Sequence, residues 1–247
     1  IPKQQIFNND PNIGEEQLKG FSKELIKYEE MGEGDPKFAA ERDPTEFWED
    51  GVTPRYQIGY GSNYLNGKKV TQNDRLNGVT KVKRDKINRD IVLSVDGNRD
   101  EMMDHARKLL ENDVVRIRGE FDAIKKDEYN VKEIFEKLDP ARKIVLTSTM
   151  YQMGAEALAD FQDAWPLISK AADLKTDQAA WNAAANEMER SIWHNEQTPE
   201  RANRVIEVIR NGGPVVWGEK TIYKPPPPVA AAAEGHMAYQ PETIHVG

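Results

Sequence analysis

Four acidic side chains occupy positions where they could act as pairs. Glu29 and Glu30 close the stretch Leu25–Glu30, and Glu49 and Asp50 stand just before Tyr56-Gln57-Ile58-Gly59-Tyr60-Gly61. Hydrolysis of a glycosidic bond needs one carboxylic acid to protonate the leaving oxygen. A second carboxylate must activate water or attack the anomeric carbon. One acid at the end of a helix and another before a strand can face each other across a cleft. The chain carries 42 acidic residues, so such pairs also arise on any solvated surface, and spacing alone does not choose between the two readings.

The elements that would hold these carboxylates are legible in outline. Leu18, Phe21, Leu25 and Tyr28 recur at helical spacing and predict a short helix ending near Glu30, where the helix dipole disfavours an anion. The segment from Met31 to Asp50 reads as an acidic irregular stretch. Tyr56, Ile58 and Tyr60 then alternate with Gln57, Gly59 and Gly61, the period of a strand. Asn66-Gly67 is a hairpin turn signal, so a small antiparallel sheet is predicted around residues 55–72. From Asp100 the pattern turns helical. Met103, Ala106, Leu109, Leu110 and Val114 stripe one long helix. Asp139-Pro140 caps another that runs to Gly154, Thr176 caps a third around Trp181–Ile192, and Thr198-Pro199 opens a last one stopped by Asn211-Gly212-Gly213. Helix, small sheet, then many helices make an α+β domain.

Composition excludes several chemistries. With no cysteine there is no disulfide scaffold, thiol nucleophile or thiolate zinc site. The four histidines are scattered, without ligand spacing, so no metal is expected. A formal charge of −8 argues against a nucleic-acid partner, and the single basic run, Lys81–Lys86, reads as a solvated helix or loop face. No run approaches a membrane span and no segment reads as a signal peptide. The dinucleotide fingerprint fails at Tyr64, and neither a phosphate-binding loop nor a nucleophile elbow is present.

Longer motifs resemble those of the T4-type phage lysozymes, glycoside hydrolase family 24. "MYQMGAEALADFQDAWPLI" (residues 150–168) and "SIWHNEQTPERANRVIEVIRNG" (residues 191–212) are similar to that family's C-terminal lobe. "RDEMMDHARKLLENDV" resembles its lobe-connecting helix, and Tyr56–Gly61 resembles its T-I-G-x-G strand. The resemblance covers roughly residues 18–213. It implies a two-lobed lysozyme-like fold, mostly helical, with the small antiparallel sheet in the N-terminal lobe. It also implies inverting hydrolysis of the β-1,4 bonds between N-acetylmuramic acid and N-acetylglucosamine in peptidoglycan, without a cofactor.

The same resemblance assigns roles. Glu30 matches the catalytic glutamate, with Glu29 beside it. Asp50 matches the catalytic aspartate, with Asp43 as the alternative. Gln57 stands where the family has a water-positioning threonine, and Ser62 where it has a histidine. Met31 takes the place of the glycine after the glutamate. Asn63, Tyr151 and Gln152 fall at saccharide-contacting positions, and Arg201 where an arginine pairs with the catalytic glutamate. These departures imply a weakened site, or a lysozyme-like module that binds glycan or fills a structural place without turnover. The implied organisation is a linker over 1–16, a lysozyme-like domain over 17–213 and a Pro/Ala-rich extension over 214–247 that contributes little to the core. Within that domain the N-lobe covers about 17–98, the connecting helix about 99–124 and the C-lobe about 125–213. The start at Ile1 and the "KPPPPVAAAAEG" spacer suggest a lysozyme domain within a larger phage tail-spike or baseplate protein, with tail proteins or the rest of the spike as partners. The setting would then be the virion, acting in the cell wall, or alternatively the host cytoplasm for a free endolysin.

Overall fold

The computed structural model describes residues 27, 28, 30, 35–126, 129–174, 177–191, 199–217 and 219–225. Among these residues a helical turn at Lys27, Tyr28 and Glu30 precedes six strands: β1 (Lys37–Phe47), β2 (Pro54–Gly59), β3 (Tyr64–Leu65), β4 (Lys68–Lys69), β5 (Val79–Arg84) and β6 (Val92–Gly97). Seven helices follow: α1 (Arg99–Ala123), α2 (Val131–Lys137), α3 (Pro140–Met153), α4 (Ala155–Ala159), α5 (Ala164–Leu174), α6 (Gln178–Glu189) and α7 (Pro199–Asn211). A last hairpin, β7 (Val215–Trp217) and β8 (Lys220–Tyr223), closes the described chain. The strands pair as four antiparallel hairpins, β1–β2, β3–β4, β5–β6 and β7–β8. The architecture is α+β, as the sequence predicts.

The 25 residues of α1 are the shared spine. Asn98 caps it, its side chain accepting from the amides of Asp100 and Glu101. Its buried stripe is Met102, Ala106, Leu109, Leu110, Val114, Ile117 and Phe121, so Met102 rather than Met103 faces inward. The first turns meet Ile58 and Gly59 of β2, and the last turns meet the helices. There Phe121 packs edge-on to Phe135 at 5.9 Å and against Trp165 at 5.5 Å. One hydrophobic cluster runs from Tyr28 and Ala40 through α1 to Ile209. The helix starts follow their caps: Asp139 accepts from Arg142 N, and Asp177 from Ala179 N and Ala180 N. Asp177 thus holds the place expected of Thr176, which lies outside the described residues, as does Ile192.

Three segments differ from expectation. The acidic stretch after Glu30 is not irregular, because residues 37–47 form β1, the longest strand. Its period is hidden by Pro44, which sits where the pairing with β2 slips between Arg42↔Tyr56 and Phe47↔Pro54. Of the basic run, Lys86 lies in a loop as expected, whereas Lys81–Arg84 lie in β5. Val82 and Arg84 face inward there, and Arg84 donates to the carbonyls of Ala40 (2.8 Å) and Gln72 (2.6 Å). At the base of that hairpin Gly97 is obligatory, since a Cβ there would sit 2.0 Å from Gly78 O. Finally, Val215–Trp217 and Lys220–Tyr223 are not a passive tail. Val215 and Ile222 are buried in the main cluster, because two short β-branched and aromatic runs supply an apolar face. The spacer from Pro226 onward lies outside the described residues.

Candidate active site

Glu30 lies on the helical turn that includes Lys27 and Tyr28, with its side chain 19% exposed. Its Oε1 accepts from Nε of Arg107 on α1 at 2.5 Å. The resemblance implies Arg201 as the partner of Glu30, but the contact found is with Arg107. Arg201, on α7, donates from Nη2 to Ser148 Oγ of α3 at 2.7 Å. Tyr60, one residue beyond β2, is buried beside this carboxylate, and its phenol is pushed up first by burial and then by the charge of Glu30. Glu29 and Met31 lie outside the described residues.

The two candidate aspartates stand in different places. Asp50 is exposed at the tip of the β1–β2 hairpin. It accepts from Val52 N (3.0 Å) and Thr53 N (2.8 Å), and from the Thr53 hydroxyl. These bonds, the Thr53 side chain foremost, hold its carboxyl at a pKa of about 2. Asp50 therefore builds its own turn. The Gln57 row lies three residues below Pro54, the last paired residue, or roughly 10 Å at the rise of a strand. The expected grouping of Asp50 with Gln57 is not found.

Asp43 occupies that place instead. Gln57 Nε2 donates to Asp43 Oδ2 at 2.8 Å, and Lys37 Nζ donates to Gln57 Oε1 at 3.2 Å. Gln57 pairs with Glu41 across the hairpin, so Asp43, two residues on, is its diagonal neighbour. The result is a half-buried polar row, Lys37–Gln57–Asp43, in which both ends of the glutamine amide are used. The motif comparison offers Asp43 only as the alternative. The signal it lacks is the strand itself, which brings residue 43 back to residue 57.

The remaining positions divide between fold and opening. Ser62 is 3% exposed, its hydroxyl donating to Tyr64 O at 2.7 Å. It adjoins buried Asp113 of α1, whose carboxyl burial pushes up against the opposing pull of Arg116 and the Ser62 hydroxyl. Asn63 spends its amide on Tyr56 O at 3.1 Å. Tyr151 of α3 donates its hydroxyl to Tyr60 O at 2.8 Å and so ties the helices to the loop after β2. Next to it, Gln152 Oε1 is buried without a hydrogen-bond partner among the described residues. Such an orphan acceptor costs about 1–3 kcal/mol until something donates to it.

No group of three or more potential metal ligands occurs among the described residues. No helix there is long and apolar enough to cross a membrane.

The comparisons bear on the same chemistry. No family model matches the chain. Two Dictyostelium discoideum proteins, named "Probable T4-type lysozyme 1" and "Probable T4-type lysozyme 2", are each 38% identical to it over 79 residues, 32% of this chain. The match spans 41% of each relative's length. The α+β architecture and these two similarities agree with the lysozyme resemblance of the sequence motifs.

Proposed function

We propose that this chain is a T4-type muramidase that hydrolyses the β-1,4 bond between N-acetylmuramic acid and N-acetylglucosamine with inversion. The observation that carries the reading is the Asp43–Gln57 hydrogen bond. It sets a carboxylate beside the strand position where the resemblance expects a water-positioning side chain. Asp43 is the base. It takes a proton from water as the water oxygen bonds to the anomeric carbon. Glu30 is the acid. It gives its proton to the glycosidic oxygen as the carbon–oxygen bond breaks. Gln57, pinned by Lys37, orients Asp43 and replaces a hydroxyl as a partner for the water. Glu30 adjoins Tyr60, which follows Gln57 by three residues through the turn at Gly59. An inverting pair of carboxyls stands ~6.5–9.5 Å apart. Gln152, with its unpartnered acceptor, suits a hydroxyl or acetamido N–H of the glycan.

A second reading is a glycan-binding module without turnover. It is favoured by the grip of Arg107 on Glu30, which occupies an oxygen that a general acid must present to its substrate. The setting in a phage tail rests on the flanks 1–16 and 226–247, all outside the described residues, and remains part of the proposal alone.

Release of reducing ends from purified peptidoglycan tests both readings. Wild type should release them and Glu30→Gln should not, with the fold unchanged by circular dichroism. A dead Glu29→Gln beside an active Glu30→Gln would move the acid by one residue. Binding to peptidoglycan with no release by wild type would establish the module without turnover.

A further inference from the structure

The β5–β6 hairpin, which the reaction does not use, combines exposed aliphatic side chains with unpaired cations. Ile87 at its tip is 98% exposed, Ile91 just before the returning strand is 49% exposed, and Leu93 on that strand is 53% exposed. These are three of the six large hydrophobics with such exposure among the described residues. Isolated exposed aliphatics are ordinary; three within seven residues of one hairpin are not.

The charges follow the same geometry. Residues 79–97 hold five basic and three acidic side chains, against a net charge of −8 for the whole chain. Two of the three acids are already engaged. Asp85 accepts from the amides of Ile87 (2.8 Å) and Asn88 (2.7 Å) and shapes the tip. Asp90 accepts from the Tyr56 hydroxyl (2.7 Å) and Gln72 Nε2 (2.9 Å) and lies 3.7 Å from Arg42. Asp96 stands opposite Lys81 in the ladder. Of the bases, Arg84 is spent on backbone carbonyls. Lys83, Lys86 and Arg89 are exposed and form no ion pair among the described residues.

The register puts these groups together. Val82 pairs with Val95 and Arg84 with Val92, all partly buried, so they form the inner face. Lys83 pairs with Ser94 on the outer face. Leu93 is the extra residue where the pairing slips between Lys83 and Arg84, and it is exposed. The outer face thus leads from Lys83 and Leu93 to a tip where Lys86 and Arg89 flank Ile87.

We propose that this hairpin docks on an anionic lipid bilayer, with Lys83, Lys86 and Arg89 at the headgroups and Ile87, Ile91 and Leu93 in the outer acyl region. A polyanion alone would match the cations and leave the isoleucines in water. A zwitterionic surface would match the isoleucines and leave the cations uncompensated. An anionic lipid surface matches both. The proposal does not depend on the hydrolytic reading, because no residue of the candidate site lies on the hairpin.

Flotation of the full chain with vesicles tests it. Vesicles of phosphatidylcholine with 30% phosphatidylglycerol should bind at least tenfold more tightly than pure phosphatidylcholine at low salt, the preference shrinking in 0.5 M NaCl. Lys86→Glu/Arg89→Glu should lose tenfold or more of that affinity, and Ile87→Ser about threefold, with thermal melts matching wild type. These substitutions lie on a solvent-exposed tip, so folding is expected to survive them. Equal binding to the two vesicle types, or variants that bind as wild type does, would overturn the proposal. So would a charge-reversal loss with an unaffected Ile87→Ser together with full displacement by soluble lipid-free polyphosphate, which would make the hairpin a polyanion site.

Discussion

Replacing Asp43, the proposed base, by asparagine tests its role with little disturbance to its neighbours. The amide oxygen of the substituted side chain can still accept from Gln57 Nε2, where the carboxylate oxygen now sits at 2.8 Å. The Gln57–Asp43 hydrogen bond turns from charged to neutral at a half-buried site, a change worth about 1 kcal/mol or less of stability. Catalysis should respond very differently. A positioned general base contributes about 10²–10⁴-fold, which is about 2.7–5.5 kcal/mol of barrier. Asp50→Asn gives the comparison: Asp50 lies beyond the last paired residue of the hairpin, more than roughly 10 Å along the ribbon from Gln57. It should retain activity within about threefold. Initial rates of reducing-end release, at fixed enzyme and saturating peptidoglycan, measure both. Urea midpoints on the same preparations report whether the fold has changed. An inactive Asp50→Asn beside an active, folded Asp43→Asn would refute the argument from register. Two active variants would refute the pairing of a carboxylate with Gln57 as the base.

Three other outcomes follow from the same contacts. The pKa of Asp50 is lowered to about 2, so its turn bonds stabilise the fold above the unfolded value near 3.8 and are lost as pH falls toward 2. The advantage of wild type over Asp50→Asn in thermal melts should therefore be full at pH 6, shrink below about pH 4 and vanish only as pH falls through about 2. His105, half-buried on α1, accepts from Asn77 N through Nδ1 at 2.8 Å, and burial, then Lys108, lowers its pKa against the pull of Glu101. Its contribution should be complete above pH 6.5 and disappear as pH falls through the lowered value, read out as a smaller protection factor for the Asn77 amide, its exchange rate relative to the intrinsic rate at the same pH. A chain ending at Gly213 loses Val215 and Ile222 from the core and should be less stable by about 3–6 kcal/mol, at about 1.5–3 kcal/mol for each buried aliphatic. An unchanged urea midpoint would show that β7–β8 does not carry the core.

The helices were legible because their signals are redundant. In α7, Pro199 opens the helix, Ala202, Val205, Ile206 and Ile209 repeat at helical spacing, and Gly212 with φ +72° follows it. Three cues at fixed offsets leave little freedom. The sheet was legible only where glycines and aromatics punctuate it, at Tyr56–Gly61 and Asn66-Gly67. β1 was not, because Ala39 and Ala40 are both buried, so the burial pattern there does not alternate, and Pro44 argues against a strand. β5 shows a Lys-Val-Lys alternation whose charges draw the eye to solvent. The proposed base falls in that gap. Motif similarity assigned Asp50 by its local neighbours, Phe47 and Trp48, whereas proximity to Gln57 is a matter of strand register that no local motif encodes. The partner of Glu30 escaped for a related reason: Arg107 is 77 residues away, and only the packing of α1 brings it there.

The register of β1 against β2 also bears on how this segment can change in length. Glu41↔Gln57 and Arg42↔Tyr56 are paired below the slip, whereas Phe47↔Pro54 is the one pairing above it. The strand already carries one irregularity between Lys37 and Glu41, but a residue inserted between Glu41 and Asp43, where the pairs are consecutive, would turn every later side chain of the strand to the opposite face. Asp43 would then leave Gln57. Residues added between Phe47 and Pro54 would lengthen the turn and leave the lower pairs where they are. Among descendants of this sequence, length variants should therefore accumulate at the hairpin tip and be purged from its first half, even though both stretches lie on the surface.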